Sequence, residues 1–356
     1  MSAPVAIVGA GAVSAFGIGW RGLGEAVAAG HLQPRESVLL RESHPGTFAS
    51  EVSEIPAALD AGNARARKLM SRAARLAAIA MREALVDAGF AERREEIGAW
   101  MGVGASGIAM EDVPAIVSAS FVDGGLSLHR LGDQGLMACN PLFTFQTLNN
   151  FSLCHGAILE GLGGPNAAFF SRGSGTAVAL AEALHALREG DCDRAIAGGA
   201  DTALHPVTWA ELRREGFSAQ GLVPGEGAAV LALARGTSSR ALGLLESCTA
   251  IAGAQAGTTP VSGELELLPL PRRADLVVIA PWGSPARAWL GDVAVTRYAG
   301  AAIVDVSLRL GDSLAATPAL AWVAALDPLR PGERAVVLTL DVDGDLTAAV
   351  FRKESP

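Results

Sequence analysis

The stretch that decides the fold is GPNAAFFSRGSGTAVALAEALHALREGDCDRAIAGGAD, residues 164–201. Its pattern predicts a strand, a glycine-rich turn, a helix and a second strand that ends in Gly-Gly-Ala-Asp. A turn of this kind is where an enzyme can place a nucleophile at a helix N-terminus, close to the positive end of the helix dipole. The centre of this turn is Gly173, which has no side chain. The segment therefore predicts an α/β fold. It also raises the question of what function this turn has when Gly173 offers no nucleophilic side chain.

The rest of the chain continues the alternation of strands and helices. Before this stretch, the residues predict a strand in PVAIVGAG, a long helix over residues 66–90 with Gly89 as its stop, a strand in IGAWMGVGAS and a helix in NPLFTFQTLNNFSLCHGAILEGLGGPN. After it, a hydrophobic strand follows in GEGAAVLALAR. From about residue 241 the pattern restarts with two strands, a helix and a final hairpin in RAVVLTLDVDGDLTAAVFR. We therefore expect two fused α/β halves, residues 1–240 and a shorter second half, residues 241–356.

The composition excludes several classes of function. The net charge is −9, and no cluster of Lys and Arg could neutralise a run of phosphates, which argues against nucleic-acid binding. No apolar run approaches the roughly 20 residues that a membrane helix needs, and the first residues lack the charged region of a signal peptide. The four cysteines are scattered without metal-ligand spacing. We expect a cytoplasmic protein with no metal, no cofactor and no membrane contact.

Three local patterns invite a catalytic or cofactor-binding interpretation. Gly-Ala-Gly at residues 9–11 resembles a dinucleotide-binding turn, but Ser14 replaces the third glycine of that motif. Cys154 and His155 are adjacent, yet successive residues on a helix point about 100° apart, so adjacency alone does not make a dyad. The SRGSG turn lacks the first glycine of a nucleophile elbow. No histidine follows His205, which excludes any mechanism that needs imidazole from the second half.

Longer motifs resemble those of the β-ketoacyl-ACP synthases of the thiolase superfamily. They are MSRAARLAAIAMREALVDAGF, the spaced NPL, LNN and GLGGPN, ALAEALHALREGDCDRAIAGGAD, and GFSAQGLVPGEGAAVLALA, in the family's order. The second half matches by the order of its elements and only faintly by residue. The resemblance implies a thiolase fold, in which two fused α/β halves form αβαβα layers. It also implies a catalytic cysteine at a helix N-terminus, two histidines and a lysine.

Each of those catalytic positions holds a different residue in this chain. The register of the cysteine turn falls on Gly173, and the first histidine becomes Pro281 or Trp282, depending on a one-residue gap. The lysine becomes Ser307 and the second histidine becomes Asp312, while the family's terminal GFGGTN loop is represented by VDGDLT. Condensation by this chain alone is therefore not expected.

Loss of all these groups on a retained scaffold resembles the chain length factors. These are the inactive partners in ketosynthase heterodimers of type II polyketide synthases, and this chain is most similar to those of polyene and other highly reducing systems. The resemblance implies an active β-ketoacyl synthase subunit as the partner, in a heterodimer or a dimer of such heterodimers. It implies that the chain meets acyl carrier protein-bound intermediates through that partner, and that it needs no cofactor.

In that family the helix before Gly164 works across the dimer interface. An alignment without gaps puts Phe143 where family members project an aromatic ring into the partner's tunnel. Cys139 and Leu136, one and two turns earlier, would line the same helix face. The polar residues on this helix that could hydrogen-bond across the dimer are Gln146, Asn149 and Asn150. The alternatives are plain core packing for Phe143 and hydrogen bonds within the helix for the amides.

Two other functions stay open at this point. One is a divergent thiolase-fold acyl-transfer enzyme that uses other groups, such as Cys154 or Asp312. It would need a cleft where Asp312 meets a real nucleophile. The other is a stand-alone acyl-binding scaffold without a ketosynthase partner.

Overall fold

The computed structural model describes most of the chain. The described residues are 3–30, 33–53, 55, 64–105, 110, 112–142, 147–253, 255–260 and 264–354.

The strands number β1 to β15 in chain order. They are β1 Val5–Ser14, β2 Gly17–Ile18, β3 Arg35–Glu36, β4 Phe48–Ala49, β5 Gly98–Val103, β6 Phe121–Val122, β7 Gly125–Leu126, β8 Asn166–Phe170, β9 Arg194–Thr202, β10 Glu226–Arg235, β11 Gly243–Ile251, β12 Leu276–Pro281, β13 Ala302–Asp305, β14 Arg334–Leu340 and β15 Leu346–Arg352.

The helices are numbered in the same way. They are α1 Leu23–Ala28, α2 Ala64–Leu69, α3 Arg72–Ala88, α4 Val113–Ser120, α5 Leu128–Arg130, α6 Phe151–Glu160, α7 Ser174–Glu189, α8 Pro206–Arg214, α9 Ser284–Arg297, α10 Ser307–Leu310 and α11 Thr317–Leu326.

The main sheet repeats one strand order twice. The first set runs β8-β5-β9-β10-β1 and the second runs β13-β12-β14-β15-β11, so each set has the order third, second, fourth, fifth, first. In both sets the first three strands of this order are parallel and the last two run antiparallel to their neighbours. Two residue pairs between β1 and β11 join the sets into one hydrogen-bonded sheet. A doubled fold, as the sequence predicts, accounts for this repeat.

Helices form layers between and outside the two sets of strands. α7 packs against β5 and β9 of the first set and against β11 of the second, and α11 packs against β1, β10, β12 and β14. Their apolar side chains share one core cluster with strands of both sets. α3 covers the outer face of β1, β10 and β9, and α9 covers the outer face of β12 and β14. The α/β layered architecture predicted from the sequence is therefore confirmed.

Residues 164–201 fold as the sequence predicts, into β8, α7 and β9. The Gly-Gly-Ala-Asp end of β9 has a packing reason, because a Cβ at Gly199 would lie 2.5 Å from Oγ1 of Thr176 on α7. Glycine at this position lets the first turn of α7 approach the strand closely. The final hairpin predicted over residues 334–352 is also present, as the antiparallel pair β14 and β15.

The single helix predicted over residues 66–90 is wrong in one respect. The chain forms α2 and α3, separated at Met70 and Ser71. Ser71 is extended, with φ −64° and ψ 166°, and its hydroxyl oxygen accepts a hydrogen bond from the Ala74 amide at 3.2 Å. This N-cap starts a new helix inside an otherwise helix-favouring run. α3 ends at Gly89 in the left-handed conformation, with φ 69°, as expected.

The continuous helix predicted to carry the tunnel residues is also wrong where the chain is described. Residues 136–138 form a short 3-10 turn, and Cys139 after it is extended, with φ −101° and ψ 169°. α6 begins at Phe151. Pro141 disfavours a helix that continues from the residues before it, and Asn149 and Asn150 favour a turn before α6. Within the described residues, no helix is long and apolar enough to cross a membrane.

Candidate functional site

The turn before α7 holds Gly173 at the N-cap of the helix. Its backbone angles are φ 174° and ψ −68°. The hydroxyl oxygen of Ser171 accepts hydrogen bonds from the amides of Gly173 at 3.1 Å and Gly175 at 2.6 Å. A side chain from the same turn therefore satisfies two of the amides that the start of a helix leaves without partners.

The space beside Gly173 is occupied by Asp341, which follows β14. A Cβ built on Gly173 would lie 2.5 Å from Oδ2 and 2.9 Å from Cγ of Asp341. The same Oδ2 accepts a hydrogen bond from the Ser174 amide at 2.8 Å. A carboxylate from the second half of the fold thus caps the N-terminus of α7.

Asp341 belongs to an acidic turn between β14 and β15. Its Oδ1 accepts from the amides of Asp343 at 3.0 Å and Asp345 at 2.9 Å. Burial, together with the nearby charge of Asp345, raises the pKa of Asp341 to about 7. Asp345 in turn accepts from the Ser174 hydroxyl at 2.6 Å. The turn and the start of α7 are therefore bonded together at several points.

Arg172 neutralises part of this charge from the other side of the turn. Its guanidinium pairs with Asp343 and, at 2.6 Å, with Glu215 after α8. Both partners raise the pKa of Arg172 further above its already high value, against the effect of burial. In the described part of the chain, no group of three or more His, Cys, Asp or Glu side chains could hold a metal ion.

A cavity of about 10 Å³ lies between Gly173 and the second half of the fold. That volume suffices for about one water molecule. The described residues that line it are Gly173, Ala280, Asp312, Leu314, Thr317, Pro318, Thr339, Leu340 and Asp341. None of them is a cysteine, histidine or lysine. Two of the positions singled out from the sequence, Gly173 and Asp312, therefore meet at one cavity.

Asp312 is buried, and local hydrogen bonds occupy its Oδ1. That oxygen accepts from the Leu314 amide at 2.8 Å and from the Thr317 hydroxyl at 3.0 Å. Burial raises the pKa of Asp312. Asp201 at the end of β9 is also fully buried, and burial together with the charge of Asp312 raises its pKa to about 8. Its carboxylate accepts from the Thr202 amide at 2.8 Å. These carboxylates bind backbone and hydroxyl groups near them, which organises the loops around the cavity.

The other singled-out positions of the second half lie elsewhere. Pro281 ends β12, next to the lining residue Ala280. Trp282 is fully buried in a different apolar cluster, where its ring meets Phe217 edge-on at 5.0 Å. Ser307 begins α10, and its hydroxyl donates to Asp305 at 2.8 Å and accepts from Arg287 at 3.1 Å. Ser307 therefore belongs to an ion-pair network that does not line the cavity.

Cys154 and His155 lie on α6, away from this cavity. The side-chain nitrogen of Asn150 donates to the Cys154 sulfur at 3.9 Å, and the His155 ring packs against Phe151 with 5.2 Å between ring centres. Burial lowers the pKa of His155. Each of the two side chains has its own neighbours, so adjacency in sequence does not produce a nucleophile and base.

The tunnel residues named from the sequence are only partly described. Phe143 and Gln146 lie outside the described residues. Leu136 is 48% exposed, and the Cys139 thiol donates to its carbonyl at 3.1 Å. Asn149 is half-buried and Asn150 is the exposed N-cap residue of α6. Leu136 and Cys139 do not lie on one regular helix, and the placement of Phe143 beside them stays a prediction.

The comparison with protein families shows to which family the chain belongs. The model of the β-ketoacyl synthase N-terminal domain matches residues 2–238. The chain belongs to the β-ketoacyl synthase family. Curated proteins give no significant match. Gly173 lies within the residues that this family model matches.

Solved structures show that the whole chain has the thiolase fold of this family. The ishigamide ketosynthase/chain length factor matches with a TM-score of 0.78 at 18% identity over 100% of both chains. A β-ketoacyl synthase from Burkholderia phymatum STM815 matches with 0.75 at 18% identity, over 99% of this chain and 100% of that one. The AntDE:AntF complex, a type II polyketide synthase acyl carrier protein with its hexaketide-bound ketosynthase, matches with 0.73 at 14% identity over 99% of both chains.

Sequence reasoning missed the part that Asp341 plays. The sequence signal was the replacement of the GFGGTN loop by VDGDLT, directly after Asp341, which adds Asp343 and Asp345 to a glycine-rich loop. That change identifies an altered loop, but only the fold brings Asp341 across to Gly173. The pairing of Arg172 with Asp343 depends on the same long-range contact, since 171 positions separate the two residues.

Proposed function

We propose that this chain is a noncatalytic chain length factor, which pairs with an active ketosynthase and shapes the acyl tunnel of that partner. The observation that carries the proposal is Gly173 at the N-terminus of α7, on a cavity that Asp312 also lines. The resemblance aligns Gly173 with the family's cysteine and Asp312 with its second histidine. A ketosynthase needs a thiolate and imidazoles there. With neither at this cavity, the scaffold can act only through its surfaces.

The edge of the sheet supports a protein partner. β8 is the last strand of its set and pairs with β5 alone within the described residues. Its final residue, Phe170, is 63% exposed. At the opposite end of the sheet, α1 packs against β13. An uncovered edge strand beside an exposed aromatic ring is the kind of surface that a second protein covers.

The structural neighbours suggest which partner. One neighbour is a ketosynthase/chain length factor and another is an acyl carrier protein with its ketosynthase. By likeness we propose an active β-ketoacyl synthase as the partner, and polyene intermediates carried by an acyl carrier protein as the molecules in the shared tunnel. The alternatives of a divergent enzyme and a stand-alone scaffold gain nothing from a cavity that holds about one water.

Co-expression with the ketosynthase encoded nearest to this chain tests the proposal. We expect a one-to-one complex by native mass spectrometry. Phe170→Glu should weaken it by about tenfold or more, because a charge would be buried without a partner at the centre of the contact.

Val295→Glu is the matched control, since Val295 is 62% exposed on α9, on the far side of the fold. It should leave the complex intact. A well-folded chain that forms no complex with any ketosynthase would overturn the proposal. Equal binding by Phe170→Glu and the wild type would remove β8 from the interface.

A further inference from the structure

We infer that Asp341 is a built-in plug that closes this subunit's own acyl site. The inference deepens the proposed function and rests on it, because it takes the cavity beside Gly173 to correspond to the catalytic site of an active ketosynthase. It adds that this cavity binds no acyl thioester, so that this subunit takes no direct part in decarboxylation of the malonyl unit. The residue that closes the site comes from the second half of the fold.

The first support is steric. The Cβ of any residue larger than glycine at position 173 would lie 2.5 Å from Oδ2 and 2.9 Å from Cγ of Asp341, inside normal contact distances. Glycine at 173 and aspartate at 341 therefore fit as a complementary pair, in which one residue gives up the space that the other fills.

The second support is the use of the amide donors. A ketosynthase-like site needs free amides at the helix N-terminus to bind a thiolate or an oxyanion. Here the Ser174 amide donates to Asp341, and the amides of Gly173 and Gly175 donate to Ser171. The next amide, that of Thr176, donates to the Gly173 carbonyl. The carboxylate occupies the place of an anionic nucleophile, and the donors around it are taken.

The third support is the rigidity of the plug. Asp341 also accepts from the amides of Asp343 and Asp345, and Asp345 accepts from the Ser174 hydroxyl. Turn and helix are thus held together by side chains from both. What space remains is about 10 Å³, too small for any acyl group.

Thiol labelling at position 173 tests the plug. Tryptic digestion releases residues 173–188, a peptide in which a cysteine at 173 would be the only one. The isolated chain is exposed to iodoacetamide under native conditions, and the labelling rate is read from that peptide. Buried Cys192 and Cys248 serve as slow internal references.

Gly173→Cys alone should label as slowly as those references. Gly173→Cys with Asp341→Gly should label at least about tenfold faster, because the thiol gains both space and the helix amides that lower its pKa. Gly173→Cys with Asp343→Gly is the control. It removes a carboxylate from the same turn and adds the same backbone freedom, yet keeps Asp341, so it should stay slow.

Three results would overturn the inference. They are rapid labelling of Gly173→Cys alone, slow labelling of the folded Asp341→Gly double variant, and equal rates for the two double variants. Should Gly173→Cys not fold, the melting temperatures of Gly173→Ala with and without Asp341→Gly decide the matter. The plug predicts that alanine lowers the melting temperature more when Asp341 is present than when it is replaced, and an equal loss in both backgrounds contradicts it.

These measurements use the isolated chain, so they do not depend on the partner. If the chain forms no complex with a ketosynthase but the labelling rates are as predicted, the proposed function is wrong and the inference about Asp341 holds. If the complex forms but the labelling rates differ from the prediction, the proposed function holds and the inference about Asp341 is wrong.

Discussion

Gly173 and Asp341 show how one lost side chain can be matched by another residue far along the chain. The hydrogen bond from the Ser174 amide to Asp341 uses the helix N-terminus that a thiolate would otherwise use. The register of the turn predicts that Gly173 occupies the nucleophile position of the family, and this assignment remains our proposal. The contact with Asp341 could not be predicted, because contacts across 167 positions depend on the fold and leave no local pattern.

Asp201 gives a prediction about pH at the same scale. Its pKa is about 8 in the folded chain because burial disfavours the charged form. The folded state therefore keeps the proton to higher pH than the unfolded state does. This contribution to stability is complete below pH of about 4 and is lost as pH rises through about 8. Asp201→Asn should make the fall in melting temperature between pH 5 and 8.5 shallower, as calorimetry can measure.

The exposed Asp292 on α9 provides the control. Asp292→Asn should keep the wild-type pH profile. If Asp201→Asn also keeps that profile, Asp201 titrates alike in both states and the assignment fails.

At the scale of elements, the strands and the long helices could be predicted from the sequence, whereas the breaks within helices could not. Periodic apolar residues and glycine stops identify β8, α7 and β9. The break between α2 and α3 depends on a single N-cap serine, Ser71, in a run with strong helix propensity. The region before α6 was assigned one helix because its apolar spacing resembles one, but turn-forming residues prevail where it is described.

The tunnel proposal belongs to this scale, and Phe143 is its most direct probe. In the complex with the ketosynthase, Phe143→Ala should shift the products toward longer chains, because the ring would no longer fill the partner's tunnel. Mass spectrometry of the released products measures the shift. Phe48→Ala, which removes an exposed ring on β4, should leave the products unchanged. Unchanged products from Phe143→Ala in an intact complex would refute the tunnel assignment.

At the scale of the whole molecule, the two sets of strands have the same order and the same directions. The restart of the sequence pattern near residue 241 predicted a doubled fold, and the connection between β10 and β11 contains that position. The division into residues 1–240 and 241–356 remains our proposal. Because the second half resembles the family only faintly by residue, its contribution to the cavity beside Gly173 could not be predicted from the sequence. Both Asp312 and Asp341 come from that half and face the N-terminus of α7.

The central claim is that catalysis resides wholly in the partner. The direct test is condensation of malonyl units on a carrier protein by this chain alone, by the ketosynthase alone and by their one-to-one mixture. The mixture is repeated with the partner's catalytic cysteine replaced. We predict no condensation by this chain alone, full chain extension only by the unaltered mixture, and none once that cysteine is gone. Extension by this chain alone, or by the mixture without the partner's cysteine, would contradict the account.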